Sequence, residues 1–214
     1  MPRERLVTRT QRTRRTRRTR GATVAGRLVL LLAAASLAGA GPLGAQRLTR
    51  YDATFRKYSK RYFGIAFDWR YFKAQAMAES DLDPAARSPV GARGLMQLMP
   101  STFQAIQTKR PEFQSIDDPV WNIAAGILHD RGLWKRWEDR VPATERLPFM
   151  FGAYNAGEGP ITRASAAARA QQLEPARWAS IEVVAPTVPR WRYRETLGYV
   201  RKIDAHYSSL RNPR

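Results

Sequence analysis

The chain has 214 residues, 43% hydrophobic and 26% charged, with a formal net charge of +19 at pH 7. That length and balance suit one globular domain with a real core plus a tail, and exclude two large domains. Cysteine is absent, which excludes disulfides, cysteine-held metals and a lipid-modified cysteine, so packing alone must hold the fold.

The charge is unevenly spread. Residues 1–27 hold ten arginines and one glutamate, a net of +9, which leaves about +10 for the remainder. The basic run RTRRTRRTRGATVAGR followed by the apolar LVLLLAAASLAGA has the layout of a secretory signal. The apolar part is short for a bilayer span, which needs about 20 residues. Small residues at Ala38–Ala40 and at Ala45 offer cleavage sites, and removal after Ala45 is the favoured reading. A competing reading is an uncleaved anchor, since VAGRLVLLLAAASLAGAGPLGA is nearly long enough to cross, with Arg27 near its basic end. Residues 1–45 are thus expected to be a basic n-region plus signal peptide, or an anchor. Residues 46–214 are expected to be the functional domain, monomeric and exported to the periplasm or cell envelope. Membrane association follows only if the segment is retained.

After Gln46 the pattern is helical nearly throughout. LTRYDATFRKYSKRYF places Leu48, Tyr51, Phe55, Tyr58 and Tyr62 on one face. DWRYFKAQAMAES starts at Asp68, a candidate N-cap, and presents Phe72, Ala76 and Glu79 at spacings of four and three. PSTFQAIQTKR predicts a short helix with Ser101 as its cap. DPVWNIAAGILHDRGLWKRW has Asp118 at the N-cap and Pro119 at the first helical position, and its dense apolar positions predict a central buried helix. ERLPFMFGAYNAG runs to Gly157, a helix terminator. The Ala-rich PITRASAAARAQQ is helical, and RWRYRETLGYVRKIDAHYSSL closes the chain as a long helix with Tyr193, Leu197, Val200 and Ile203 near one face. The only β-branched stretch, IEVVAPTVP, carries two prolines and is expected to form a minor extended connection near 181–189. The tail RNPR is expected to fray. The fold expected is all-α.

Glu79 ends an apolar helix, where the macrodipole disfavours a negative charge and burial would disfavour it further. Both effects suit a carboxyl that must act as a general acid near neutral pH. AMAES, SPVGARGLMQLMP, AYNAG and ETLGYVRKI occur in this order, each where two helices or a helix and a loop would meet. Together they resemble the soluble lytic transglycosylase family, goose-type-lysozyme-like catalytic domains that cut bacterial peptidoglycan. The resemblance spans roughly residues 60 to 207. It implies a lysozyme-like helical domain with a substrate cleft, in which Glu79 is the catalytic acid.

By the same resemblance Ser88 borders the substrate subsite, Gln97 and Met99 line the glycan groove, and the Tyr154 hydroxyl lies near the reacting sugar. Asn155 stands beside the cleft, Glu195 enters it as a supporting acid, and Tyr199, four residues from Glu195, shares its helix face. Each has a plainer reading. Ser88 also suits a turn before Pro89, Tyr154 suits a packed ring with one bonded hydroxyl, Asn155 suits a helix-end cap, and Glu195 suits an ion pair with Arg192 or Arg194. Met96 and Leu98 read as core, as do Trp121, Trp134 and Trp137. Trp178 and Trp191 flank the proline-rich connection, where one of them could stack on a sugar. His129 and His206 lack ligand spacing, so no metal or other cofactor is expected.

Glycosidases ordinarily pair two carboxylates, and neither Asp81 nor Asp83 looks like a nucleophile across the sugar. A transglycosylase needs only one, because the muramyl 6-hydroxyl replaces water and closes a 1,6-anhydro ring. The resemblance implies that the substrate is the MurNAc-β-1,4-GlcNAc bond of peptidoglycan strands. A water-using muramidase on the same fold and a non-catalytic glycan-binding domain are the alternatives. Nucleic acid is not an expected partner, because half the positive charge lies in the N-terminal segment and no nucleic-acid motif is present.

Overall fold

The computed structural model describes residues 48–212. The elements within that span are helical: α1 (Asp52–Phe63), α2 (Arg70–Ser80), α3 (Pro100–Lys109), α4 (Pro119–Arg136), α5 (Arg146–Ala156), α6 (Glu158–Ala170), α7 (Trp178–Val184), a 3-10 turn (Ala185–Thr187) and α8 (Tyr193–Arg211). Two isolated bridges, Arg87 with Arg93 and Arg93 with Leu98, fold one loop back on itself. The all-α expectation holds. The signal or anchor segment expected at 1–45 lies outside the described residues. No helix among them is long and apolar enough to cross a membrane.

α4 is the centre. Its start follows the sequence: the Asp118 carboxylate accepts from the backbone N–H groups of Val120 and Trp121 at 2.8 and 3.0 Å, and Pro119 fills the first helical position, where no N–H is needed. Ile123, Ala124, Ala125 and Ile127 are fully buried. α1 and α5 pack against α4, α5 also packs against α6 and α8, and α2 lies mainly against α8 and α1. Phe55, Phe72, Phe149, Met150, Ile161 and Ile181 complete the core with no exposure. Each such side chain contributes roughly 1.5–3 kcal/mol by leaving water. A buried ion pair, Lys73 Nζ to Asp52 Oδ1 at 2.7 Å, joins α2 to α1. Gly157, at φ +79°, ends α5 and turns the chain into α6.

Several local expectations change. The segment 181–189 is not extended: residues 178–184 are helical and a 3-10 turn follows, with Val188 the one extended residue after it. Ile181 and Val184 bury their β-branched side chains against the core, and packing overrides their strand preference. Pro186 sits in the first turn of the 3-10 segment, where its missing N–H breaks no bond. Ser101 does not cap α3; Met99 occupies the N-cap with extended backbone and Pro100 leads the helix. α2 begins after Trp69, and Asp68 reaches the Arg70 backbone N–H from one residue further out, at 3.0 Å. Leu48 is exposed rather than continuing the buried face of α1. α8 continues through Arg211, so the tail stays helical one residue into RNPR.

Candidate active site

α2 stops abruptly after Glu79 and Ser80. Asp81 and Leu82 adopt left-handed backbone, at φ +53° and +60°, and Leu82 is held there by burial of its side chain. The chain then loops back across the end of α2. Residues 88–91 form a turn closed by the Gly91 N–H on the Ser88 carbonyl at 2.9 Å, and Gly91 has φ +91°. Three clamps fix the returning segment. The Ser80 hydroxyl donates to the Leu95 carbonyl at 2.9 Å. The buried Asn122 amide of α4 accepts from the Met96 N–H at 2.8 Å and donates to the carbonyls of Arg93 and Ile116 at 2.9 Å each. Gly94, at φ +73°, lies so close to that amide that a Cβ would fall 2.5 Å from Asn122 Nδ2. The glycine is therefore required for both backbone angle and contact.

Glu79 faces this loop. Its carboxylate oxygen Oε1 accepts a 2.6 Å hydrogen bond from the Tyr199 hydroxyl of α8. Burial pushes the carboxyl up to about 8, although the Tyr199 hydrogen bond and the Lys202 charge act to lower it. Lys202 donates to the Ala78 carbonyl at 3.0 Å, which satisfies one of the orphan carbonyls at the end of α2. At neutral pH Glu79 is mainly protonated. Because Oε1 already accepts from Tyr199, the proton belongs on Oε2. The group is thus a carboxylic acid with one oxygen anchored and one able to donate.

The other residues expected at the site fall into two groups. Tyr154 and Tyr199 gather around Glu79 electrostatically; burial raises both phenols, and the Glu79 charge raises them further. The Tyr154 hydroxyl donates to the Met96 carbonyl at 2.7 Å and so ties α5 to the loop. Among the described residues no hydrogen bond joins the remaining candidates to Glu79, and their bonds are local. Ser88 Oγ accepts from the Ala92 N–H at 2.9 Å, which is turn chemistry. Gln97, at φ +42° and nearly buried, donates its amide to the carbonyls of Gly94 and Ala86 at 2.9 and 3.2 Å. Met99 is partly exposed at the start of α3. Asn155 is half-buried, and its Nδ2 has no hydrogen-bond partner. Glu195 pairs with Arg192 at 3.0 Å, the ion pair that its neighbours allowed; burial raises its carboxyl, and Arg192 opposes this. Trp178 and Trp191 are nearly buried, the latter donating its indole N–H to Thr196 Oγ1 at 3.0 Å.

Three neighbours of Glu79 escape a reading of sequence. Lys202 arrives from a helix that is distant in the chain. Asp130 and Gln75 are both fully buried, and burial holds Asp130 well above the usual carboxyl range, with Glu79 raising it further. Asp130 had a signal: it follows Ile123 and Ile127 at helical spacing and so falls on the apolar face of α4. A carboxyl on a core-facing stripe is a buried polar group that needs explaining.

Comparison with known proteins bears on the family and the fold. A family model described as "Transglycosylase SLT domain" matches residues 54–175. The chain is 35% identical over 164 residues to a membrane-bound lytic murein transglycosylase F of Shewanella pealeana, covering 75% of this chain and 32% of that protein. A Vibrio cholerae protein of the same name is 30% identical over 175 residues, covering 77% and 31%. The chain spans about a third of the length of these curated relatives. Among solved structures, it resembles the 70 kDa soluble lytic transglycosylase of Escherichia coli with a TM-score of 0.58 at 27% identity, over 76% of this chain and 24% of that one. A complex of the 70-kDa soluble lytic transglycosylase with bulgecin A aligns with a TM-score of 0.59 at 26% identity, over 79% and 25%.

Proposed function

Because the chain belongs to the SLT transglycosylase family, we propose that it is a peptidoglycan lytic transglycosylase that cleaves the MurNAc-β-1,4-GlcNAc bond and leaves 1,6-anhydro-MurNAc ends. The observation that carries this reading is the Glu79 carboxyl, pushed up to about 8 and anchored through Oε1 by Tyr199. The substrate comes from the relatives, which are named for murein.

Glu79 Oε2 gives its proton to the glycosidic oxygen as the C1–O bond breaks, and the GlcNAc-bearing alcohol leaves. Positive charge grows at the muramyl C1, and the substrate's own N-acetyl oxygen steadies it. Glu79 is now a carboxylate, stabilised by the Tyr199 hydroxyl and the Lys202 charge. It removes the proton from the muramyl 6-hydroxyl as that oxygen bonds to C1. The proton count closes on Glu79, and no water is consumed. A second carboxylate facing the sugar is not needed. Asp130 is fully enclosed, Asp83 accepts from the Ala85 N–H at 2.9 Å, and Glu195 is paired with Arg192.

In this reading Ser88, Gln97, Met99, Tyr154, Asn155 and Glu195 shape the groove. The protein works on the cell envelope after export by the segment 1–45. Mass spectrometry of digested sacculi tests the reaction. Anhydro-muramyl products are expected, and reducing ends carrying an added water in their place would overturn the transglycosylase assignment in favour of a muramidase. Glu79→Gln should abolish release while the far-ultraviolet circular dichroism stays native; retention of full activity would remove Glu79 from the mechanism.

A further inference from the structure

Asp130 is the one fully buried carboxyl near Glu79 that the mechanism does not use. It lies on α4 with no exposure, and its Oδ1 accepts from Gln75 Nε2 at a long 3.4 Å. Its Oδ2 has no hydrogen-bond partner, and neither does Oε1 of Gln75, which is also fully buried. No ion pair to Asp130 exists among the described residues, whose salt bridges lie elsewhere. Two acceptor oxygens stranded on the two members of one buried pair have a simple resolution. A proton on Asp130 Oδ2 turns that oxygen into a donor for Gln75 Oε1, and the amide N–H to Oδ1 closes a ring of two hydrogen bonds.

The place of the pair gives it a purpose. Gln75 lies one turn before Glu79 on α2, so the two share a helix face. Asp130 and Gln75 supply the hydrogen bond that connects α4 to α2. The ionisable groups facing Asp130 come from three other elements: Glu79 of α2, Tyr154 of α5 and Tyr199 of α8. Lys202 of α8 acts on Glu79. An Asp130 anion would stand unpaired in this apolar space beside a Glu79 that must itself become an anion in mid-reaction. A neutral Asp130 lets Glu79 take that charge alone.

We propose that Asp130 is a positioning residue for Glu79, kept as a neutral carboxylic acid that pairs with the Gln75 amide and pins α2 to α4 one turn before Glu79. It touches no substrate and transfers no proton in the reaction. The proposal rests on the reading of Glu79 as the general acid.

The test has a spectroscopic arm and a kinetic arm. Infrared difference spectra are recorded at pH 7 between Glu79→Gln and the Glu79→Gln/Asp130→Asn double variant, so that the Glu79 proton does not contribute. A protonated-carboxyl carbonyl band that vanishes with Asp130 is expected; carboxylate bands in its place overturn the proposal. For kinetics, Asn can rebuild the ring with Gln75 without a proton, whereas Ala cannot. Asp130→Ala should lower kcat on sacculi about tenfold with KM unchanged, and Asp130→Asn should recover to within about threefold of the unmutated enzyme. An Ala variant with full kcat, or an Asn variant as impaired as Ala, sinks the positioning role. If Asp130→Ala fails to fold, the Asn variant and the infrared band still decide. If the unmutated protein releases no muropeptides, the reading of Glu79 falls and the positioning role with it, while the band still reports on the pair.

Discussion

At the Glu79 carboxyl, burial and hydrogen bonding pull in opposite directions, and burial wins. A general acid must hold its proton, so activity should fall as pH rises through about 8. The Tyr199 hydroxyl donates to the carboxylate and stabilises the anion, so Tyr199→Phe should move that limb of the kcat/KM profile to higher pH. The same change makes Glu79 a weaker acid for the first half of the proposed reaction and leaves its carboxyl without an anchor, and kcat should drop roughly tenfold. A profile that stays in place would mean that the 2.6 Å bond does not tune the acid. Linkage gives a second consequence. The folded state keeps the Glu79 proton up to about 8, whereas the unfolded chain releases it near 4.5. Between those values the folded protein binds more protons than the unfolded one, so stability is greatest at the acid end and is lost as pH rises toward 8. Glu79→Gln removes that loss. Thermal melting from pH 5 to 9 should show a flatter curve for the variant and a higher Tm than the unmutated protein at the alkaline end.

Among the elements, the loop that returns over Glu79 depends on one residue of a neighbouring helix. Asn122 satisfies one N–H and two carbonyls of the segment that returns over Glu79, and it does so from a buried position. Asn122→Ala strands the Met96 N–H and the Ile116 carbonyl, while the Arg93 carbonyl keeps the Leu98 N–H at 3.0 Å, and each stranded buried group costs about 1–3 kcal/mol. A loss of about 3 kcal/mol in urea unfolding is expected, together with lower kcat, because the wall facing Glu79 loosens. Little of this was legible in the sequence. Asp118–Pro119 announced the start of α4 because a cap is local chemistry, and Gly157 announced the end of α5 for the same reason. Asn122 stood unnoticed in the first turn of α4, since its bonds run to residues 93, 96 and 116. The segment 181–189 misled because β-branched residues and prolines carry an extended preference that core packing overrides. Glu79 was legible through the ordered motifs around it. Lys202 was not, because its partner lies at the far end of α2, 124 positions away in the chain. Asp130 could have been found from its position on the apolar face, but a periodic pattern does not say which neighbour explains a buried acid.

For the whole molecule, charge is the property that outlives the individual contacts. The chain beyond residue 27 carries about +10, and part of it is displayed on exposed faces, such as Arg56, Lys57, Lys60 and Arg61 of α1, Arg192 just before α8, and Arg194 and Arg201 on it. None of these groups is in contact with Glu79. They cannot serve the chemical step, but their summed field reaches a large polyanion before any contact forms. Peptidoglycan presents carboxylates on its stem peptides and lactyl groups. Charge of this kind acts on encounter and holding, and it is screened over about 10 Å at 0.1 M salt. Raising sodium chloride from about 50 to about 300 mM should therefore raise KM for sacculi severalfold and leave kcat nearly unchanged. Peptide-stripped strands, which keep only the lactyl carboxylates, should show a shallower dependence. A KM indifferent to salt on both substrates would mean that the positive surface serves something other than the glycan. A change confined to kcat would place the salt-sensitive charges at Glu79 itself, with Lys202 as the first to examine.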